Sequence, residues 1–131
     1  MQPGDHLTRT SSLLIALLLT TLSSAHAEIV DIRWSADGAF AHQAKIAAGK
    51  FVEVCGKLPA GLKLRWEFET SAPTDFNVHY HVGEKVVYPF KMSAVASARE
   101  TLETTLEQDY CWMWSNKGTS AASLSVRLSR P

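Results

Sequence analysis

Tyr110-Cys111-Trp112-Met113-Trp114-Ser115-Asn116 is the densest stretch of the 131-residue chain and the one whose reading decides its fold. Side chains on an extended strand alternate between its two faces. Tyr110, Trp112 and Trp114 therefore share one face, Cys111 and Met113 the other, and Ser115-Asn116 ends the run at a polar turn. One pair, the indoles or the sulfurs, belongs to a core and the other to an outer surface.

Working outward, the same period-2 pattern recurs on both sides. Leu62-Lys63-Leu64-Arg65-Trp66-Glu67-Phe68-Glu69 is the cleanest case, with apolar residues on one side and charged ones on the other. Asp75-Phe76-Asn77-Val78-His79-Tyr80-His81-Val82 places Phe76, Val78, Tyr80 and Val82 inward and Asn77, His79 and His81 on the opposite face. A turn at Ser71-Ala72-Pro73-Thr74 is expected between these two runs, and Gly83-Glu84-Lys85 reads as a hairpin tip returning through Val86-Val87-Tyr88. Ile29 to Trp34, Ala39 to Ile46, Phe51 to Cys55 and Ala122 to Ser129 add further strands, although the alanines of 39–46 also suit a helix. Residues 91–99 read as a loop, and Thr101 to Glu107 as a strand or a short helix. The sum is an all-β, antiparallel, jelly-roll-like β-sandwich of about eight strands.

The start of the chain has a different character. Leu13-Leu14-Ile15-Ala16-Leu17-Leu18-Leu19 follows Arg9 and precedes Ala25-His26-Ala27, an A-x-A pattern, so residues 1–27 read as a cleaved signal peptide. The apolar run is shorter than the roughly 20 residues a membrane span needs. The expected mature domain, residues 28–131, is a periplasmic or secreted protein with no membrane anchor. Without Arg9 and Asp5, the 13 basic and 13 acidic residues of the chain become 12 of each. Such neutrality argues against a nucleic-acid partner, which requires a one-sided positive field. The two cysteines, Cys55 and Cys111, are expected to form a disulfide in an oxidising compartment, contributing about 4 kcal/mol in the chain-entropy model.

The pattern Tyr110, Trp112, Trp114, Ser115, Asn116, then Ser120 and a terminal alternating strand, resembles the closing strands of GOLD domains, the emp24/gp25L/p24 family. Cys55, Leu64-Arg65-Trp66-Glu67-Phe68 and Asp75-Phe76-Asn77-Val78 resemble that family's early cysteine and middle strands. One departure is that the second family cysteine stands where this chain has Met113. The resemblance implies a free-standing exported β-sandwich used for protein recognition, with another exported protein as its partner. It does not bring cargo sorting with it, since that role goes with the coiled coil and membrane helix that follow the domain in the p24 proteins, and neither is expected in the mature chain here.

Two constellations offer chemistry. His79 and His81, at i and i+2, point the same way and can share a copper or zinc ion, with Met113 or an unpaired Cys111 as a soft ligand and His42 as a third nitrogen. No histidine follows Cys111, which disfavours a type 1 copper centre. Trp112 and Trp114, together with Tyr80, form a recognition patch if their face is exposed. No nucleophile elbow, phosphate loop or H-E-x-x-H pattern is present. A non-enzymatic binding module without cofactor is the leading expectation, and a periplasmic metal-binding protein using His79 and His81 is the alternative.

Overall fold

The computed structural model describes residues 27–131, so the expected signal peptide, Ala27 apart, lies outside the described residues. Seven strands follow one another: β1 Glu28–Asp31, β2 Ala39–Ile46, β3 Phe51–Leu58, β4 Lys63–Val82, β5 Lys85–Glu103, β6 Gln108–Ser115 and β7 Ala122–Ser129. The all-β sandwich is as the alternation predicts, and the alanine-bearing 39–46 segment is a strand. Seven strands stand in place of about eight because two expected interruptions are not breaks. Ser71-Ala72-Pro73-Thr74 lies inside the 20-residue β4, and residues 91–99 lie inside the 19-residue β5.

The physical reason is a shared bend. The β4–β5 register shifts between Glu69 and Thr74 and again before Phe76. Ala94 adopts φ 52°, the left-handed region that a non-glycine residue seldom enters. Side chains take up the backbone groups that the bend frees. The Asp75 carboxylate accepts from the Ala94 N–H at 3.0 Å, Thr70 Oγ1 donates to the Ala72 carbonyl at 2.8 Å, and Thr74 Oγ1 donates to that of Val95 at 3.3 Å. Pro73 sits at this irregularity, where its missing N–H leaves the ladder intact. A polar, proline-bearing stretch thus bends a long hairpin instead of ending it.

That bend makes the sandwich. One edge of β4 carries β5 along its length, while the other pairs with β7 over Arg65–Thr70 and with β6 over Asp75–His79. One layer therefore runs β2-β7-β4-β5 and the other β1-β3-β6-β4-β5, joined through the bent hairpin. All pairs are antiparallel except β1 with β3. The expected hairpin tip is present, with Gly83 at φ 60° in the two-residue loop between Val82 and Lys85.

Trp66 and Phe68 from one half of β4 meet Phe76, Phe90 and Trp114 from the other layer at centroid distances of 4.5–5.4 Å. Tyr110, Trp112 and Trp114 are buried to 0–1 % exposure, so the aromatic face of the opening stretch belongs to the core. Its sulfur face lies outside. Asn116 fastens the corner at its end, donating from Nδ2 to the Ile46 and Ser120 carbonyls at 2.9 and 2.8 Å and accepting the Gly118 N–H at Oδ1, 2.9 Å away. Thr104 does the same at the opposite end, donating to the Pro59 carbonyl and accepting from the Leu62 N–H. Thr101–Glu107 is only partly strand: β5 ends at Glu103, and Leu106 is 45 % exposed rather than facing inward with Leu102.

Candidate functional site

The site lies on the outer face of the β1-β3-β6-β4-β5 layer, where the register alone sets two parallel rows of side chains. Asp31, Cys55, Cys111 and His79 are successive cross-strand partners in one row. Ile29, Glu53, Met113, Asn77 and Lys91 form the next. Directly opposed residues on one sheet face are the ones that interact. Cys55 and Cys111 are bridged, with a Cα–Cα distance of 4.2 Å, and no free cysteine remains. The disulfide clamps β3 to β6 at the middle of this face.

His79 is only 6 % exposed although its strand position points outward. Neighbours rather than core cover it. Asn77 Oδ1 lies 2.7 Å from Nδ1, Glu53 Oε1 lies 3.8 Å from Nε2, and the His81 and Tyr88 rings stand 5.3 and 5.9 Å away. The amide oxygen accepts only, so Nδ1 carries the proton and Nε2 presents its lone pair toward Glu53. Burial pulls the His79 pKa below its ordinary value; Glu53 opposes that shift and His81 adds to it. The imidazole is therefore neutral near pH 7. His81 is exposed, and Tyr88, 45 % exposed, has Lys91 Nζ 4.8 Å above its ring.

A lowered histidine pKa fixes the sign of a pH effect. Between the folded-state pKa of His79 and the unfolded value near 6.5, the unfolded chain binds more protons than the folded one. Stability then rises with pH through that window and falls as pH drops through it. Acidification from pH 7.5 to 5 is expected to lower the unfolding free energy in urea, and His79→Gln is expected to flatten that dependence. An unchanged slope in the variant would contradict this assignment.

The structure sorts the residues singled out in the sequence. Cys55 and Cys111 are joined. His79 and His81 are neighbours, but His79 is enclosed and His81 is open. Met113 is half-buried in the adjoining row, and His42 sits on β2 in the other layer, 3.5 Å from Glu28. Trp112 and Trp114, at 0 % exposure, present no surface, and Tyr80 is half-buried with its ring 5.1 Å from that of Tyr110. The aromatic recognition patch expected from those three is thereby corrected, because the parity that unites Trp112 with Trp114 also aims both inward. Tyr88 is the exposed aromatic of this face instead. Glu53 was the other residue missed; its parity with Cys55 was the available signal, but the pairing that places it beside His79 is long-range.

The opposite face of the sandwich carries a charged row. Glu67 is flanked in register by Arg99 and Arg127, with Arg65 one step along, over shallow grooves between strands. Glu69 shares one of these grooves with Glu67, and neither groove is lined by a histidine or a cysteine.

With this geometry in view, the chain is similar in fold to a periplasmic lysozyme inhibitor of g-type lysozyme. The Aeromonas hydrophila inhibitor, PliG, superposes with a TM-score of 0.62 at 11 % identity, covering 80 % of this chain and 97 % of that one. Salmonella Typhimurium PliG gives 0.55 at 12 %, covering 81 % and 100 %. The Yersinia pseudotuberculosis-derived mitogen gives 0.55 at 12 %, covering 70 % and 84 %. No family model and no curated protein matches the sequence. At such identities the likeness establishes the β-sandwich fold. It also overturns the GOLD resemblance: the neighbours are PliG-type and related sandwich domains, and no GOLD model matches. Alternating aromatics closed by Asn116 meet the general demands of a buried closing strand, so they do not mark one family.

Proposed function

We propose that the chain is an exported, non-enzymatic binding module that captures another exported protein on the outer face of its β1-β3-β6-β4-β5 layer. The observation that carries this reading is that face itself. It is clamped by the Cys55–Cys111 disulfide, and it presents the exposed Tyr88 with Lys91 over its ring and Ile29 at 66 % exposure. A rigid surface with exposed apolar and aromatic anchors loses little conformational freedom on binding, which favours affinity. The expected signal peptide and the fold likeness to periplasmic inhibitors support an exported location. No helix among the described residues is long and apolar enough to cross a membrane.

The partner to test first is a lysozyme of the g type, the target named for two fold neighbours. The processed chain, purified from the periplasm of a bacterial host, is expected to bind and inhibit such a lysozyme. Tyr88→Ala should weaken binding about 10-fold or more, the usual cost of removing an aromatic hot spot. Arg127→Ala, on the opposite layer, should leave it unchanged. Failure to bind would remove this partner, whereas binding insensitive to Tyr88 but lost with Arg127→Ala would move the interface to the other face.

A further inference from the structure

We propose that reduction of the Cys55–Cys111 disulfide opens a zinc-class metal site made from the two thiolates, His79 Nε2 and the Glu53 carboxylate. Three adjacent strands bring these donors together: β3 supplies Glu53 and Cys55, β6 supplies Cys111, and β4 supplies His79. One donor atom each from Glu53, His79 and Cys111 lies within 4.8 Å of the others, and Glu53 Oε2 is 4.0 Å from Cys55 Sγ. Tetrahedral zinc binds thiolate at about 2.3 Å and imidazole at about 2.0–2.1 Å. Side-chain rotation on a fixed sheet can bring donors at these separations onto one ion.

The imidazole is already arranged as a ligand. A metal-bound histidine characteristically donates its other ring N–H to an oxygen, which fixes the tautomer. His79 does this through Nδ1 to Asn77 Oδ1 at 2.7 Å, leaving Nε2 free on the side of Glu53. Its ring is enclosed to 6 % exposure, while both cysteines are half-buried on the outer face, within reach of a reductant. With the bridge closed, the two sulfurs are covalently committed and only His79 and Glu53 remain as donors. With it open, two thiolates, one imidazole and one carboxylate give a closed four-ligand set suited to zinc. The redox state of one bond thereby gates metal affinity.

The gating step balances with a dithiol as reductant. One of its thiolates attacks a protein sulfur, the S–S bond breaks, and the reductant's second thiolate resolves the mixed disulfide. Two electrons pass to the protein, and two protons come to rest on Cys55 and Cys111. Zinc binding then releases both protons to solvent.

The test uses the processed chain, oxidised or reduced with excess reductant and then desalted without oxygen. Co2+ serves as the spectroscopic probe and Zn2+ as its competitor. The reduced protein is expected to take up one ion per chain with a thiolate-to-cobalt charge-transfer band, to release it to zinc, and to unfold at a higher temperature when zinc is present. The oxidised protein should show none of this. His79→Ala should weaken uptake by the reduced chain at least 10-fold, and Asn77→Ala, which acts by positioning His79, about 10-fold. Equal affinity in the His79→Ala chain would mean that thiolates bind without the folded site, and this overturns the proposal. So would uptake by the oxidised form, absence of the charge-transfer band, or a reduced chain that zinc neither binds nor stabilises.

Discussion

Trp114→Ala is expected to lower the unfolding free energy by about 3–5 kcal/mol, the range for removing a buried tryptophan. A domain of this size has about 5–15 kcal/mol in total. The residue is fully buried on β6 between Val52 of β3 and Phe76 of β4, with its ring 5.4 Å from those of both Phe68 and Phe76. Phe68 belongs to the other half of the bent β4, so Trp114 also joins the two layers. The indole N–H has no acceptor among the described residues, which makes the contribution of the side chain one of packing. Trp114→Phe tests that point. It keeps an aromatic ring in place while deleting an unpaired buried donor, whose own cost is about 1–3 kcal/mol, so it should be much milder than the alanine variant. Urea unfolding followed by far-ultraviolet circular dichroism measures both. A loss below about 1 kcal/mol for Trp114→Ala would contradict this account of the core.

The difference between legible and illegible features follows the range of the interactions. Alternation is local, so Leu64, Trp66, Phe68, Phe76 and Val78 could be assigned inward from parity, and all five are buried; Val82, expected inward with them, is 47 % exposed beside the hairpin tip, and parity paired Trp112 with Trp114 without deciding which face of their strand is buried. Chain bending is less local. Ser71 to Thr74 has the composition of a turn, yet it continues as strand because Asp75 and Thr70 satisfy backbone groups across the hairpin, at Ala94 and Ala96. The candidate site depends on register, which is the least local feature. His79 could be placed on an outward face, but its burial comes from Glu53 and Tyr88, which lie on other strands. Nothing in the neighbourhood of Glu53 along the chain indicates that pairing. The GOLD resemblance failed for a related reason: it rested on core-facing aromatics, whose spacing is dictated by burial rather than by ancestry.

Removing the disulfide with the double substitution Cys55→Ser, Cys111→Ser is expected to cost about 4 kcal/mol. The bridge closes a loop with a sequence separation of 56, for which the chain-entropy model gives that value. Both cysteines are half-buried on the outer face, so serine can occupy these positions without leaving a polar group in the core. The native pairing should persist, because Val52 opposite Trp114 and Val54 opposite Trp112 hold β3 against β6 from the buried side. The cost therefore resides chiefly in the unfolded chain, which gains freedom once the link is gone. That location has its own signature. A more expanded unfolded state exposes more surface, so the denaturant m-value should rise while the midpoint falls. At roughly 4–8 °C per kcal/mol for a domain near 100 residues, the melting temperature should fall by about 15–30 °C. A lower midpoint with an unchanged m-value would instead place the contribution in native contacts around Glu53 and His79. In that case single substitutions at those two residues should reproduce much of the loss with the bridge intact, and under the entropic account they should not.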